Sequence, residues 1–265
     1  MSNSPTAAML ARCITQSQAY WQSPAGRSLW EVQRACLGPV VENRRGQHGL
    51  EMGMGRSLLG PSAIPHRIRW APSEALAESA STLVCPPDRF ALPDRCLDTV
   101  VIHHWLEQLP DAHFTLQEAA RVTSDHGVLV LFGFNPLSVG GLVKRWRKPG
   151  ATFPFAGRWM SVNRLRDWLA FVDFEVERVD YCCFRGRMNA PCGEHWEALG
   201  RRHNLPLGQS YMIKARRRER GAPIERIRFG LPAKVSPSSL GATRRHAPVK
   251  SVESSSRLVK ENQRD

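Results

Sequence analysis

Apolar residues change spacing between Asp98 and Pro136, and the change predicts a strand, a helix and a second strand. Asp98 to His104 (DTVVIHH) is a short β-branched and apolar run, as a buried strand requires. From Ala112 to Thr123 the apolar positions fall at helical spacing: Phe114, Leu116, Ala119, Ala120 and Val122. Asp125-His126-Gly127 predicts a turn. Val128 to Phe134 is almost continuously apolar, the pattern of a strand covered on both faces. A strand–helix–strand unit of this kind belongs to a layered α/β domain.

The same reading extends outward. Ser161 can N-cap a helix over Val162 to Phe171, with Leu165, Trp168 and Leu169 on its apolar side. Val172-Asp173 then turns into an alternating strand, Phe174 to Val179, and Tyr211 to Ala215 is a last strand. Upstream, Gln18 to Leu37 predicts a helical cap, interrupted at Ser23-Pro24-Ala25-Gly26. Arg44 to Leu50 and Pro65 to Trp70 are shorter, more polar strand candidates, and a third precedes Asp88. Residues 1–17 lack evident apolar anchoring and are expected to be loose.

Composition alters this picture mainly at the carboxyl end. The formal net charge is +13, but Lys214 to Asp265 alone holds 14 Lys or Arg against 5 Asp or Glu. The folded part is therefore only mildly basic. From Arg216 onward the chain is rich in Arg, Ser and Pro and is expected to be a disordered basic tail, leaving residues 18–215 as the domain. Such a tail can add weak, salt-sensitive attraction to nucleic acid or anionic lipid, or can be a solubilising or inert segment. Seven cysteines, an odd number without a Cys-x-x-Cys, suit a reducing cytoplasm better than a disulfide framework, and no metal-ligand spacing appears. Cys182-Cys183 is expected to be a pair of strand residues. No secretory signal or run of about 20 apolar residues is visible, so no transmembrane segment is expected.

Candidate chemistry gathers where strands end. Glu51, Gly53 and Gly55 form an acid-x-Gly-x-Gly pattern, in which glycines let backbone pass close to a ligand. His103 and His104 end the strand from Asp98, at the edge where open α/β sheets bind ligands. A histidine there can take a proton near neutral pH; it can equally be a packing residue. Glu74 follows the strand ending at Trp70 and can lie in the first turn of the next helix, where an acid favours the dipole. Asp88, beside Pro86 and Pro87, is either a ligand or a turn residue. The run Lys144-Arg145-Trp146-Arg147-Lys148 reads as a solvated helix face or as a phosphate-binding patch.

These residues together resemble a family. The Asp98-x-Val100…His104 strand, Arg121 ending the next helix, Gly127, and a strand closing on Asn135-Pro136 look like the second half of class I S-adenosylmethionine-dependent methyltransferases of the type-11 group. More narrowly, the chain resembles small gammaproteobacterial proteins whose first half of this domain is degenerate, from Trp21 to Arg218. The resemblance implies a methyltransferase-like Rossmann domain with a mostly parallel seven-stranded sheet ending in an antiparallel hairpin. It implies S-adenosyl-L-methionine as cofactor and an unidentified methyl acceptor, expected to be a small molecule. By resemblance, Gly53 and Gly55 pass the methionine half, an acid near Glu74 holds the ribose, and Asp88 receives the adenine amino group. Two other readings stand beside methyl transfer. One is a methyltransferase-like scaffold that has lost turnover, which the missing acid after Trp70 supports. The other is a nucleic-acid-binding protein, which the basic segments support.

Overall fold

The computed structural model describes residues 6–42, 46–60, 62–77, 81–146, 152–185 and 192–218. Seven strands form one sheet: β1 His48–Gly53, β2 His66–Ala71, β3 Thr82–Val84, β4 Leu97–His103, β5 Thr123–Phe134, β6 Phe174–Cys182 and β7 Ser210–Arg217. Their order is β3-β2-β1-β4-β5-β7-β6. The first five run parallel, and β7 is antiparallel to both β5 and β6. This is the seven-stranded sheet with an antiparallel end that the family resemblance implies. Val100, Val101 and Ile102 of β4 and Val128 to Leu131 of β5 are fully buried, which explains their continuous apolar sequence.

Six helices complete the described chain: α1 Ala7–Gln22, α2 Pro24–Glu42, α3 Ala112–Val122, α4 Val139–Arg145, α5 Val162–Phe171 and α6 Glu194–Arg202. Helix α5 has its expected bounds, with the Ser161 hydroxyl accepting from the Arg164 amide. Helix α3 ends on Arg121, whose guanidinium donates to the carbonyls of Phe90 and Leu92 and to the carboxylates of Glu118 and Asp94. These bonds raise its pKa and fix the loop between β3 and β4. Asp98 is structural in a similar way, its carboxylate accepting from the amides of Gln47 and His48 as the chain enters β1.

The structure corrects several expectations. Residues 7–17 are helical, because Leu10, Ser17, Tyr20 and Trp21 make a buried stripe at i, i+7 and i+10 to i+11. The Thr6 hydroxyl caps this helix by accepting from the Met9 amide. Strand β1 begins later than expected and runs through Glu51 to Gly53, since pairing with β2 and β4 carries it past Leu50. No free turn separates α3 from β5. Thr123 pairs with Leu97 and Val128 with Thr99, so the Asp125-Gly127 stretch is absorbed as an irregularity within the strand. Cys182 ends β6 as expected, but Cys183 turns with φ of 61° and forms a disulfide with Cys192 across a Cα separation of 5.5 Å. That turn supplies the proximity that sequence spacing did not show.

The boundary at Ala215 also moves. Arg216 and Arg217 remain in β7, pairing with Glu175 and Phe174. Arg217 donates to the carbonyls of Ala120 and Thr123 at 2.6 and 2.9 Å, and its guanidinium lies over the Phe174 ring. The remainder of the expected tail, residues 219–265, lies outside the described residues. A chain ending at Ala215 should therefore be less stable than one ending at Arg218. Two side-chain bonds plus ladder bonds at roughly 1 kcal/mol each predict a loss of about 2–4 kcal/mol. Urea unfolding of the two chains measures it, and equal midpoints would show that Arg216 and Arg217 contribute no stability.

Candidate functional site

The carboxyl edge of the parallel strands carries the site, as in other open α/β sheets. At the end of β1 the chain leaves through Met54, Gly55 and Arg56. Glu51 is buried two residues earlier, and its carboxylate turns back to hold this loop. It accepts from the Ser57 hydroxyl at 2.5 Å and from the amides of Leu58 and Leu59 at 2.8 and 3.2 Å. Glu51 thus fixes the shape of the glycine loop. A Cβ on Gly53 would come within 3.2 Å of this carboxylate, and one on Gly55 within 3.2 Å of the Trp21 ring. Both glycines allow a close approach that a side chain would obstruct.

A cleft of about 720 Å³ opens beside the loop. It falls within the range of about 300–1,000 Å³ usual for small-molecule sites. Gly53 to Ser57 form one wall, the end of β2 and the turn after it form another, and Ile14, Gln18, Trp21 and Gln22 of α1 close it. Arg27, Arg56 and Arg69 also line it, and among the described residues no carboxylate does. Arg69 donates to the Gly55 carbonyl at 3.1 Å, tying β2 to the loop. Glu74 begins a short 3₁₀ turn, Glu74–Leu76, and is exposed; Ala75, Leu76 and Ala77 line the cleft, whereas Glu74 does not. Asp88 stands in the turn after β3, half-buried and outside the lining.

His103 and His104 are both fully buried and also lie outside the cleft lining. Trp21, which does line the cleft, packs against both, with ring centroids 4.9 and 5.5 Å away. One amide organises the group behind it. Gln33 of α2 accepts from His103 Nε2 at 2.9 Å and donates to His104 Nε2 at 2.8 Å and to the Ser210 hydroxyl at 2.6 Å. This assignment fixes both tautomers. His104 Nδ1 then donates to Glu107 at 3.1 Å, and Ser210 donates to the Gly133 carbonyl at 2.9 Å. The other Glu107 oxygen accepts from the Phe134 amide. His104 itself has φ of 58°, a left-handed turn that aims its ring into the network.

The structure therefore brings Gly53 and Gly55 to the cleft, sets Glu51 beneath their loop, and places the two histidines behind Trp21. Sequence reasoning did not single out Gln33, Glu107, Ser210 or Arg69. Gln33 left a readable signal, being a polar residue on the stripe made by Leu29, Trp30, Cys36, Leu37 and Val40. Nδ1 of His103 and Nε1 of Trp21 are buried without a hydrogen-bond partner. Trp21 lines the cleft, and His103 stands behind it.

The fold has counterparts among known proteins. A family model described as a methyltransferase domain matches residues 52–131. The uncharacterized protein YafS of Escherichia coli K12 is 31% identical over 216 residues, covering 80% of this chain and 85% of YafS. A solved S-adenosylmethionine-dependent methyltransferase of Thermotoga maritima, described as a possible histamine N-methyltransferase, superposes with a TM-score of 0.59 at 19% identity. That match covers 78% of this chain and 98% of the other. A second such enzyme, from Archaeoglobus fulgidus, gives 0.50 at 20% identity over 70% and 93% of the two chains. These two structural likenesses concern the fold.

Burial holds the His103 pKa well below its ordinary value, with the fields of His104 and Arg69 adding to the effect. In the folded protein His103 stays neutral at pH values where the unfolded chain takes up a proton. The unfolded state then binds more protons, so stability falls as pH drops below about 6.5, toward the folded-state pKa. Replacing His103 with Gln should flatten that decline relative to the wild type. Urea unfolding of both proteins between neutral and mildly acid pH gives the comparison, and parallel curves would mean that His103 takes up its proton without a folding penalty.

Proposed function

Because the chain belongs to the class I S-adenosylmethionine-dependent methyltransferases carrying the type-11 domain, we propose that it transfers the cofactor's methyl group to a small-molecule acceptor. The observation that carries this reading is the cleft between the glycine loop and α1, at the carboxyl edge of the sheet. The residues present fit the methionine half of the cofactor. Gly53 and Gly55 leave room for close passage of backbone, Glu51 holds their loop rigid, and two orphaned ring nitrogens stand in the adjoining wall. The bound cofactor supplies an activated methyl on a sulfonium. The chain's task is to exclude water and align an acceptor nucleophile with that methyl, which is mainly proximity and orientation.

The ribose end fits less well. Among the described residues, the charged side chains lining the cleft are Arg27, Arg56 and Arg69. Glu74 stands beside it as the candidate ribose ligand, and Asp88 is the candidate for the adenine amino group. Of the two histidines, His104 has its Nδ1 side held by Glu107. Its Nε2 is occupied by Gln33, so a base role requires that amide to move. The cytoplasm is the proposed location.

Calorimetric titration with S-adenosylmethionine tests the reading. Wild type should bind, Gly53→Val should abolish binding with its circular dichroism unchanged, and Asp88→Ala should weaken binding by about 1–3 kcal/mol, the cost of an unpaired buried partner. Absence of any heat with wild type at millimolar cofactor would remove the enzyme reading and favour a scaffold. Binding that survives Gly53→Val would place the cofactor elsewhere.

A further inference from the structure

The residues after β5 and before β7 form a rim on the carboxyl edge of the sheet. Asn135 joins them. Its side-chain amide donates to the carbonyls of Pro206 and Gly208 at 2.8 and 2.9 Å, while its side-chain oxygen accepts from the Leu137 amide at 3.0 Å. Two segments that are distant in sequence are thus held side by side.

Both segments expose large apolar side chains. Leu137 is 62% exposed, Leu142 57%, Trp146 88% and Leu207 61%, and Val139 and Val143 are exposed with them. Helix α4, which carries most of these, is secured from its other side. Lys144 donates to the carbonyls of Phe155 and Gly157 and lies 5.3 Å from the centre of the Trp159 ring. Burial lowers the Lys144 pKa accordingly. Lys144 therefore does not belong to a solvated basic face, as the sequence run alone suggested. With that lysine engaged inward, the outer side of the helix is left apolar, with Trp146 at its end.

The exposed charge described on these two segments has one sign. Arg145 follows on α4, and Arg201 and Arg202 are exposed in the last turn of α6. Neither 137–146 nor 198–209 contains an Asp or Glu. Exposed apolar patches of this kind mark protein or membrane contacts. A second copy of the chain is a poor occupant, because a twofold contact would set these arginines against their own kind without compensating carboxylates. A surface that combines an apolar layer with anionic groups above it meets both requirements. Trp is suited to the boundary between them.

We propose that this rim docks the protein peripherally on an anionic lipid bilayer, with Leu142, Val143 and Trp146 entering the headgroup boundary and Arg145, Arg201 and Arg202 meeting the lipid phosphates. Among the described residues no helix is long and apolar enough to cross a membrane, so the contact is a surface one. The docking surface does not depend on the methyl-transfer reading.

Co-sedimentation of the full chain with vesicles tests it. The protein should be retained by vesicles of phosphatidylcholine mixed with phosphatidylglycerol and much less by phosphatidylcholine alone. The double substitution Leu142→Ser, Trp146→Ser should reduce retention about tenfold, as expected from loss of interfacial apolar area. Arg145→Glu with Arg201→Glu should do the same, and circular dichroism of each should match wild type. Three results would overturn the proposal. Rim variants that bind like wild type would assign any attraction to the basic carboxyl-terminal sequence. Equal retention on neutral vesicles would remove the phosphate contact. No vesicle binding, with a wild-type dimer that the same variants disrupt in sedimentation velocity, would make a second copy the occupant.

Discussion

One side-chain amide, that of Gln33, joins the amino-terminal cap to the functional edge of the sheet. It is fully buried and bonds to His103 at the end of β4, to His104 just beyond it and to Ser210 at the start of β7. Each partner is itself buried, so each would bear a desolvation cost if the amide were absent. The network thereby fixes where α2 sits, and the tight turn after α1 then fixes α1. Trp21 is held over the histidines as a consequence, and it is Trp21 that closes the cleft beside Gly55. The geometry of the cleft depends in this way on a polar contact more than ten residues away in the chain.

Much of the fold was legible because burial on both faces writes an unmistakable pattern. β4, α3, β5 and α5 are long or strongly periodic, and their apolar positions match their buried faces closely. The parts that were misread have specific physical causes. Helix α1 buries a stripe that includes Ser17, so its periodicity is diluted by a polar residue. β1 carries Glu51 at a core position because the carboxylate is fully used by the loop it folds back upon. The Cys183–Cys192 contact depends on a left-handed turn that leaves no mark in residue spacing. Gly53 and Gly55 were legible as cleft residues, whereas the enclosure of His103 and His104 by Gln33 and Trp21 required tertiary structure.

Strand β2 ends in Trp70-Ala71 with no acid directly after it, and the described lining of the cavity includes three arginines. The glycine loop and its carboxylate anchor are nevertheless intact. A rim of apolar and arginine side chains occupies the same edge of the sheet, beyond β5. The edge thus carries a cleft on one side and an exposed apolar rim on the other.

The central claim is that S-adenosylmethionine enters between the glycine loop and α1. Hydrogen–deuterium exchange of the full chain, with and without saturating cofactor, tests it most directly, because amide protection reports both that binding occurs and where. The account predicts added protection at Gly53 to Ser57 and at Ile14 to Gln22, with little change along α5 and β6. Unchanged exchange in the glycine loop and in α1, with protection appearing elsewhere or nowhere, would contradict it.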